Sequence, residues 1–516
     1  MPTKKSTKKT VTEKSPAAVS GKLASGAQSQ EAGPEDWKVR IRMYRKWLGD
    51  CFLLTFRNGD KKTHIMIDCG ALSGTPEGKE KVTGAVDDIV KETDGKLAAL
   101  VVTHEHWDHV SGFSDASDSF KNFSNIAQVW AAWTEDPNQT VAREKKKLNQ
   151  LLFDSVHLAL QNWGASESDE DQQRGGAVSA IMDFMPPGGL AAFSVSTDAA
   201  MTHALSLGKQ RLLSPGEIIE VEEVPGLRVY VLGPPKDITE LHKMLGEVGK
   251  DMYGLMLGLP LAGTTEAFLS AAGDKSDPRA QDRYVPFEPY LQWDEATWMK
   301  EKHWMDLATR YNAEPLRKID RDWLNTAAQL ALQLDSYTNN TSLVLAFELP
   351  GTKEVLLFVG DAQVGNWQSW VGMEFPNPEA SSDNSDKRKT SHSEEKVRAA
   401  DLLSRTIFYK VGHHGSHNAT LKQGGLEAMQ SSKLVAAIPV DEEFAHRPKG
   451  GCPHGWDMPA GPLLTALMEK TTGRVLRGDS DFPKDSAKPE RMSASDWKEF
   501  TENTNIQDHF IEYFVR

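Results

Sequence analysis

Residues 101–112 read VVTHEHWDHVSG, and this stretch decides both how the chain folds and what it holds. Four potential metal ligands, His104, His106, Asp108 and His109, fall within six residues. They directly follow Leu97–Thr103 (LAALVVT), an apolar run of strand length that suits a strand buried on both faces. A strand end followed by a helical turn aims all four side chains inward, His104 and His106 toward one metal, Asp108 and His109 toward a second. Imidazole and carboxylate together suit zinc first, with manganese or iron as alternatives.

The rest of the chain bounds the reading. Its 516 residues suffice for one large elaborated domain, and 39% hydrophobic with 26% charged residues describes a globular protein rather than a disordered one. The net charge of −14 disfavours a surface that coats nucleic acid, although metals in a cleft supply local positive charge of their own. Cys51, Cys69 and Cys452 are far apart and show no CxxC spacing, so neither a disulfide framework nor a cysteine zinc site follows, and a reducing, cytoplasmic setting is the simpler expectation. The basic N-terminus lacks the apolar core of a secretory signal. No stretch reaches the roughly 20 apolar residues of a membrane span; the nearest, Tyr253 to Gly273, contains Pro260 and Glu266.

Working outward, residues 1–36 are Lys-, Ser-, Thr-, Ala- and Gly-rich and read as a disordered basic tail. One domain is expected over 37–516. Val39 to Tyr44, Cys51 to Phe56 and His64 to Ile67 read as strands, the last two joined by the turn signal Asn58-Gly59-Asp60. Later strands are expected at Leu227 to Leu232, Ser342 to Phe347, Glu354 to Val359, Thr406 to Val411 and Leu434 to Val440. Helical patterns lie between many of them, at Val82 to Glu92, Val141 to Trp163 and Gly461 to Lys470. This mixture favours an α/β sandwich with mixed sheets. Residues 114–200 (mostly helical), 236–336 and 376–396 read as insertions, the two larger ones wide enough to dock a protein partner.

The H-x-H-x-D-H run after an apolar strand resembles the signature of the metallo-β-lactamase superfamily. IDCG (Ile67 to Gly70) resembles that family's early motif, which implies that Asp68 orients the ligand loop without itself binding metal. LLFVGDA (Leu356 to Ala362) resembles the strand ending in a bridging aspartate, here Asp361. GDCFLL (Gly49 to Leu54), NNTSLVL (Asn339 to Leu345) and YKVGHHGSH (Tyr409 to His417) are together similar to the hydrolase domain of the competence protein ComEC and its soluble relatives, and in part to phosphorylcholine esterases. The resemblance implies an αββα four-layer sandwich of two mixed sheets with helical insertions. It also implies two divalent ions, zinc or manganese, with a hydroxide held between them.

His413, first after its strand, is the expected sixth ligand beside His104, His106, Asp108, His109 and Asp361. His414 or His417 is the expected proton donor to the leaving group. Lys410 either meets an anionic substrate or is a solvated strand-end lysine. Many superfamily members carry one more histidine before the bridging aspartate. His157, His203, His242 and His303 occupy that interval without a motif, and the ComEC-like pattern places Asn340 and Ser342 there, beside the site. A His-Pro usual near the C-terminal end is replaced by Trp456-Asp457-Met458-Pro459, leaving His446 or His454 as substitutes. Trp107 and GNWQSW (Gly365 to Trp370) either wall the cleft or pack the core.

Three functions remain open. The first is phosphodiester hydrolysis, on nucleic acid or on a small diester. The second is hydrolysis of a carboxylic ester, thioester, lactam or lactone. The third is a non-catalytic sensor or assembly role. Because residues 1–36 carry no core-forming pattern, deleting them is expected to leave the melting temperature unchanged; a large fall in a thermal melt contradicts this.

Overall fold

The computed structural model describes residues 36–164, 169–182, 184, 190–243, 326–378, 396–448 and 455–516. The N-terminal tail apart from Asp36, the Tyr253 to Gly273 segment, His303, His454, and most of the expected 236–336 and 376–396 insertions lie outside these residues.

Two large sheets dominate. The first runs, edge to edge, Thr504–Ile506, Phe510–Val515, Val39–Tyr44, Phe52–Asn58, Lys61–Ile67, Lys96–Val101, Asn125–Ala132 and Lys209–Leu213. The second runs Val475–Arg477, Val435–Ile438, Thr406–Lys410, Val355–Phe358, Val344–Glu348, Arg228–Gly233 and Ile218–Glu220. Each is mixed. In the first, pairing is antiparallel as far as Lys61–Ile67 and parallel beyond it. In the second, the parallel half ends at Val355–Phe358.

Consecutive residues of a strand point to opposite faces, so a strand covered on both sides is apolar at nearly every position. Leu54, Leu356 and Phe408 enter the core between the sheets. Their neighbours Leu357 and Tyr409 meet Trp367, Leu403 and Leu467 on the outside of the second sheet, and Leu53 meets Val86 and Phe113 outside the first. Three stacked apolar layers thus give the expected four-layer sandwich. Asn58 pairs with Lys61, leaving Gly59-Asp60 as the hairpin loop, with Gly59 at φ 60°.

Two features differ from the sequence expectation. Asn125–Ala132 (NIAQVWAA) is an interior strand of the first sheet, next to its edge, so the 114–200 insertion starts later than its composition suggests. The C-terminal strand Phe510–Val515 pairs with Val39–Tyr44, joining the two ends of the domain. Of the two roles expected for GNWQSW, Trp367 and Trp370 take core packing, both being fully buried. Beyond the sandwich, the helices Thr140–Gly164, Asp169–Met182 and Thr326–Asn339 share a small core of their own, centred on Phe153, Val178 and Leu334. Among the described residues no helix is long and apolar enough to cross a membrane.

Phe358 links the sheets, its ring centroid 5.5 Å from that of Phe52 and 5.8 Å from that of Phe408. Phe358→Ala is expected to cost about 3–5 kcal/mol of stability, read as a lowered denaturant midpoint; an unchanged midpoint contradicts the packing described.

Candidate metal centre

The candidate site lies where both sheets end. Lys96–Val101 delivers Thr103 and His104, and the helix Trp107–Asp115 begins directly after His106. Asp108 thus sits in the first helical turn, where the helix dipole favours a carboxylate. From the second sheet, Val355–Phe358 leads to Asp361, and Thr406–Lys410 leads to His413 and His414. Both histidines have positive φ, 45° and 51°, and Gly415 follows at 84°. Strained backbone of this kind costs of order 1–3 kcal/mol per residue and marks a turn held by its surroundings.

The loop after Lys61–Ile67 fixes the motif from behind. Asp68 Oδ1 accepts from Thr103 N at 2.7 Å, and Oδ2 accepts from Thr103 Oγ1 at 2.7 Å and from His109 Nδ1 at 2.9 Å. A carboxylate only accepts, so Nδ1 carries the proton and Nε2 faces inward. A Cβ on Gly70 would lie 2.3 Å from the Asp108 carbonyl carbon, so only glycine lets this loop lie on the motif backbone.

Four atoms converge in front. His414 Nε2 lies 2.7 Å from Asp108 Oδ2 and 3.7 Å from Asp361 Oδ2; His109 Nε2 lies 3.1 Å from Asp361 Oδ2 and 3.6 Å from Asp108 Oδ2. Ligands about 2.0–2.1 Å from one tetrahedral zinc stand about 3.3 Å apart, and these separations straddle that value. His414 Nδ1 donates to Pro439 O at 2.7 Å. Beside this set lie His104 and His106, ring centroids 4.9 Å apart. Buried and without a hydrogen-bond partner among the described residues are His104 Nε2, both His106 nitrogens, Asp108 Oδ1, His109 Nε2, Asp361 Oδ2 and His413 Nε2. So many orphaned buried donor and acceptor atoms in one place are costly unless a cation collects them. The residues present therefore fit divalent ions.

Charge follows the same plan. Burial pushes His106 down to about 4 and His413 down to about 3, and it holds His104 well below its ordinary value. Burial opposes charge on His109 too, but the surrounding carboxylates, Asp361 foremost, carry it well above its ordinary value. Against the burial of Asp361, Lys410 and His109 hold its carboxyl well below the usual range.

Several placements differ from the sequence reading. His414, expected as proton donor, joins Asp108, His109 and Asp361. His413, expected as ligand, turns its ring toward Phe184, 5.4 Å away, while its backbone N donates to Asp361 Oδ1 at 2.9 Å. Lys410 is neither solvated nor free to meet a substrate. It is buried and donates to Gly360 O at 2.7 Å and Asp361 Oδ1 at 3.0 Å, and it pairs with Asp50 Oδ2 at 2.5 Å. Ser342 Oγ accepts from Asp361 N at 3.0 Å, whereas Asn340 binds the Leu241 and Lys243 carbonyls and is a loop clamp. His417 Nε2 has no hydrogen-bond partner among the described residues, but the charge acting on it is Asp457. His446 is exposed at the end of a short helix and stands apart from the buried cluster, so it is no substitute ligand. His157 bonds Gln161, His203 bonds the Phe113 carbonyl and His242 stacks on Tyr337, so none of them supplies the missing histidine. Trp107 packs in the outer core of the first sheet.

The sequence reading missed three residues. Asp50 offers an atom that lies, with atoms of His109, Asp361 and His414, within 4.8 Å of one another. It faces the Nδ1 edges of both histidines at 3.8 Å, so it backs the rings while Asp108 meets their Nε2 side. The signal for it in the sequence is GDCFLL, in which Asp50 stands just ahead of the Phe52–Asn58 strand. Glu105 turns away from the cluster to Lys145 Nζ (3.3 Å) and Asn149 Nδ2 (3.4 Å), tying the motif to the Thr140–Gly164 helix. Asp335, on Thr326–Asn339, is buried with Oδ1 3.9 Å from His106 Nε2. Burial, then repulsion from Asp108 and Asp361, pushes it up to about 8.

Residues 44–137 match the family model of the metallo-beta-lactamase superfamily. The match spans IDCG, the whole His-Asp motif and the Asn125–Ala132 strand, and the superfamily consists mostly of hydrolases. No curated protein matches the chain. Asp361 and the His413-His414 turn lie outside the matched residues, so their place in the centre rests on geometry.

Lys410→Met leaves Asp50 and Asp361 buried without their cation. In metal-free protein it is expected to cost roughly 3–5 kcal/mol, measured by denaturant unfolding. Unchanged stability contradicts the structural role of Lys410.

Proposed function

We propose that the protein is a two-metal hydrolase of phosphodiesters, acting on small diesters or strand ends. The observation that carries this reading is the convergence of Asp108, His109, Asp361 and His414 beside His104 and His106, with their metal-binding atoms buried and mostly unpartnered. His104 and His106 would hold one ion, and Asp108, His109 and His414 the other, with Asp361 between them. Two such cations supply Lewis acidity, an activated water and charge for the attacking and leaving oxygens. The chain's own residues set the stage. Asp68 and the Pro439 carbonyl hold protons on the Nδ1 atoms of His109 and His414 and so turn both Nε2 atoms inward. Lys410 and the His413 amide bind Asp361 Oδ1 and leave Oδ2 for the centre. His413 Nε2, buried and unpartnered, is the group that contacts or protonates a leaving oxygen.

Substrate class follows from charge and depth. Two dications would outweigh the carboxylates facing them, Asp108, Asp361 and Asp335, while Asp50 is paired with Lys410 and Asp68 is bound behind His109, which favours an anionic group on the open side. His104, His106, Asp108, His109, Asp361, His413 and His414 are each at most 5% exposed, with Phe184 packed alongside His413 and Trp456 packed on Phe184, and the whole chain is acidic. A small diester or a strand end suits this depth better than a duplex.

The test is hydrolysis of bis-p-nitrophenyl phosphate by the full chain with zinc or manganese. Activity is expected, with loss on chelation and in His106→Ala and Asp361→Ala. Turnover of p-nitrophenyl acetate alone would move the reading to carbonyl esters. Full metal content without any hydrolysis would make the protein a sensor or assembly factor. His414→Ala is expected to lose metal. His413→Ala is expected to keep it and to lower turnover by the roughly 10²–10⁴ of general acid catalysis, most for poor leaving groups; the reverse pattern contradicts these roles.

A further inference from the structure

The geometry points to Asp335 as the protein ligand that completes the first metal position, a carboxylate where a third histidine is otherwise expected. This deepens the proposed function and rests on its metal-dependent reading. His104 and His106 give the first position two ligands of its own, Asp361 being shared, where the second position has three, and protein zinc sites have room for four ligands. Among the described residues, no histidine between the His-Asp motif and Asp361 adds a third ring, because His157, His203 and His242 are engaged elsewhere, and His413 turns its ring toward Phe184.

Asp335 is buried, and its two oxygens differ. Oδ2 accepts from Asn339 Nδ2 at 3.1 Å, one helical turn on, which fixes the rotamer. Oδ1 has no hydrogen-bond partner among the described residues and lies 3.9 Å from His106 Nε2, itself unpartnered. Two atoms on one ion with bonds of about 2.1 Å are about 3.4 Å apart at a tetrahedral angle and at most about 4.2 Å apart, so the gap is within the reach of a single cation.

The supporting structure is that of a ligand residue. The Thr326–Asn339 helix packs on the Thr140–Gly164 and Asp169–Met182 helices through Leu330, Ala331 and Leu334. Immediately after it, Ser342 Oγ accepts from Asp361 N and Leu343 N donates to Thr103 O. The helix end is thus bonded to both metal-binding loops. A buried carboxylate facing Asp108 and Asp361 is repelled by them, and a shared dication turns that repulsion into attraction.

The test uses the full chain, stripped of metal and titrated with Zn²⁺ against a chromophoric chelator. The unmodified chain is expected to take two ions in separable steps. Asp335→Asn, nearly isosteric, is expected to weaken one step at least 10-fold, as losing even an outer partner of a metal ligand does, and to leave the other unchanged. Asp335→Cys loaded with Co²⁺ is expected to show a near-ultraviolet thiolate-to-cobalt band that Co²⁺-loaded unmodified protein lacks. That band reads contact at residue 335 directly, even if Asp335→Asn proves unstable in a metal-free melt. Two unchanged steps in Asp335→Asn, or no new band in Asp335→Cys, overturns the role of Asp335 and leaves the proposed function standing. Failure of the unmodified chain to bind either ion overturns both.

Discussion

The ion triad of Asp50, Lys410 and Asp361 is the interaction on which the rest of the site depends. Asp50 leads into a strand of the first sheet, and Lys410 and Asp361 end strands of the second. The Lys410 ammonium, buried between both carboxylates, therefore ties the sheets together at the end where the candidate metal ligands gather. A buried charge pair adds little net stability against an apolar substitute, but losing one partner is severe, so the triad enforces one arrangement. It also divides the labour of Asp361, whose Oδ1 serves the scaffold and whose Oδ2 is left for the centre.

The same division recurs through the site. Asp68 binds the back of His109, the Pro439 carbonyl binds the back of His414, and Asp50 lies behind both rings. His109 Nε2 is thereby left without a hydrogen-bond partner among the described residues, and His414 Nε2 is turned to Asp108 Oδ2 at 2.7 Å. The metal-free cluster stores like-charge repulsion and unmade hydrogen bonds, together with left-handed backbone at Asp68, His413 and His414. The apolar layers on either side must hold it, and metal binding would feed back on stability because it relieves what the fold has concentrated.

Much of this was legible in the sequence. Strands covered on both faces announce themselves as apolar runs, and the His-Asp cluster after Leu97 to Thr103 is local, so both the sandwich and the position of the motif could be read. What failed was set by tertiary context. Two adjacent histidines differ only in direction, and the left-handed turn reverses the chain so that the second, not the first, points at Asp108. Lys410 reads as a strand-end residue because nothing local reveals the two carboxylates that enclose it. Asp335 stands in an ordinary helical stretch far from any motif, and only the docking of that helix brings it to His106. NIAQVWAA was hidden by the helical composition around it.

Crystals of the purified protein, grown with zinc and measured with anomalous diffraction above and below the zinc edge, would decide the matter. Two buried peaks are predicted, one among Asp108, His109, Asp361 and His414, the other beside His104 and His106. Zinc signal at neither place, in crystals that contain zinc elsewhere, would contradict the reading of this cluster as a metal centre.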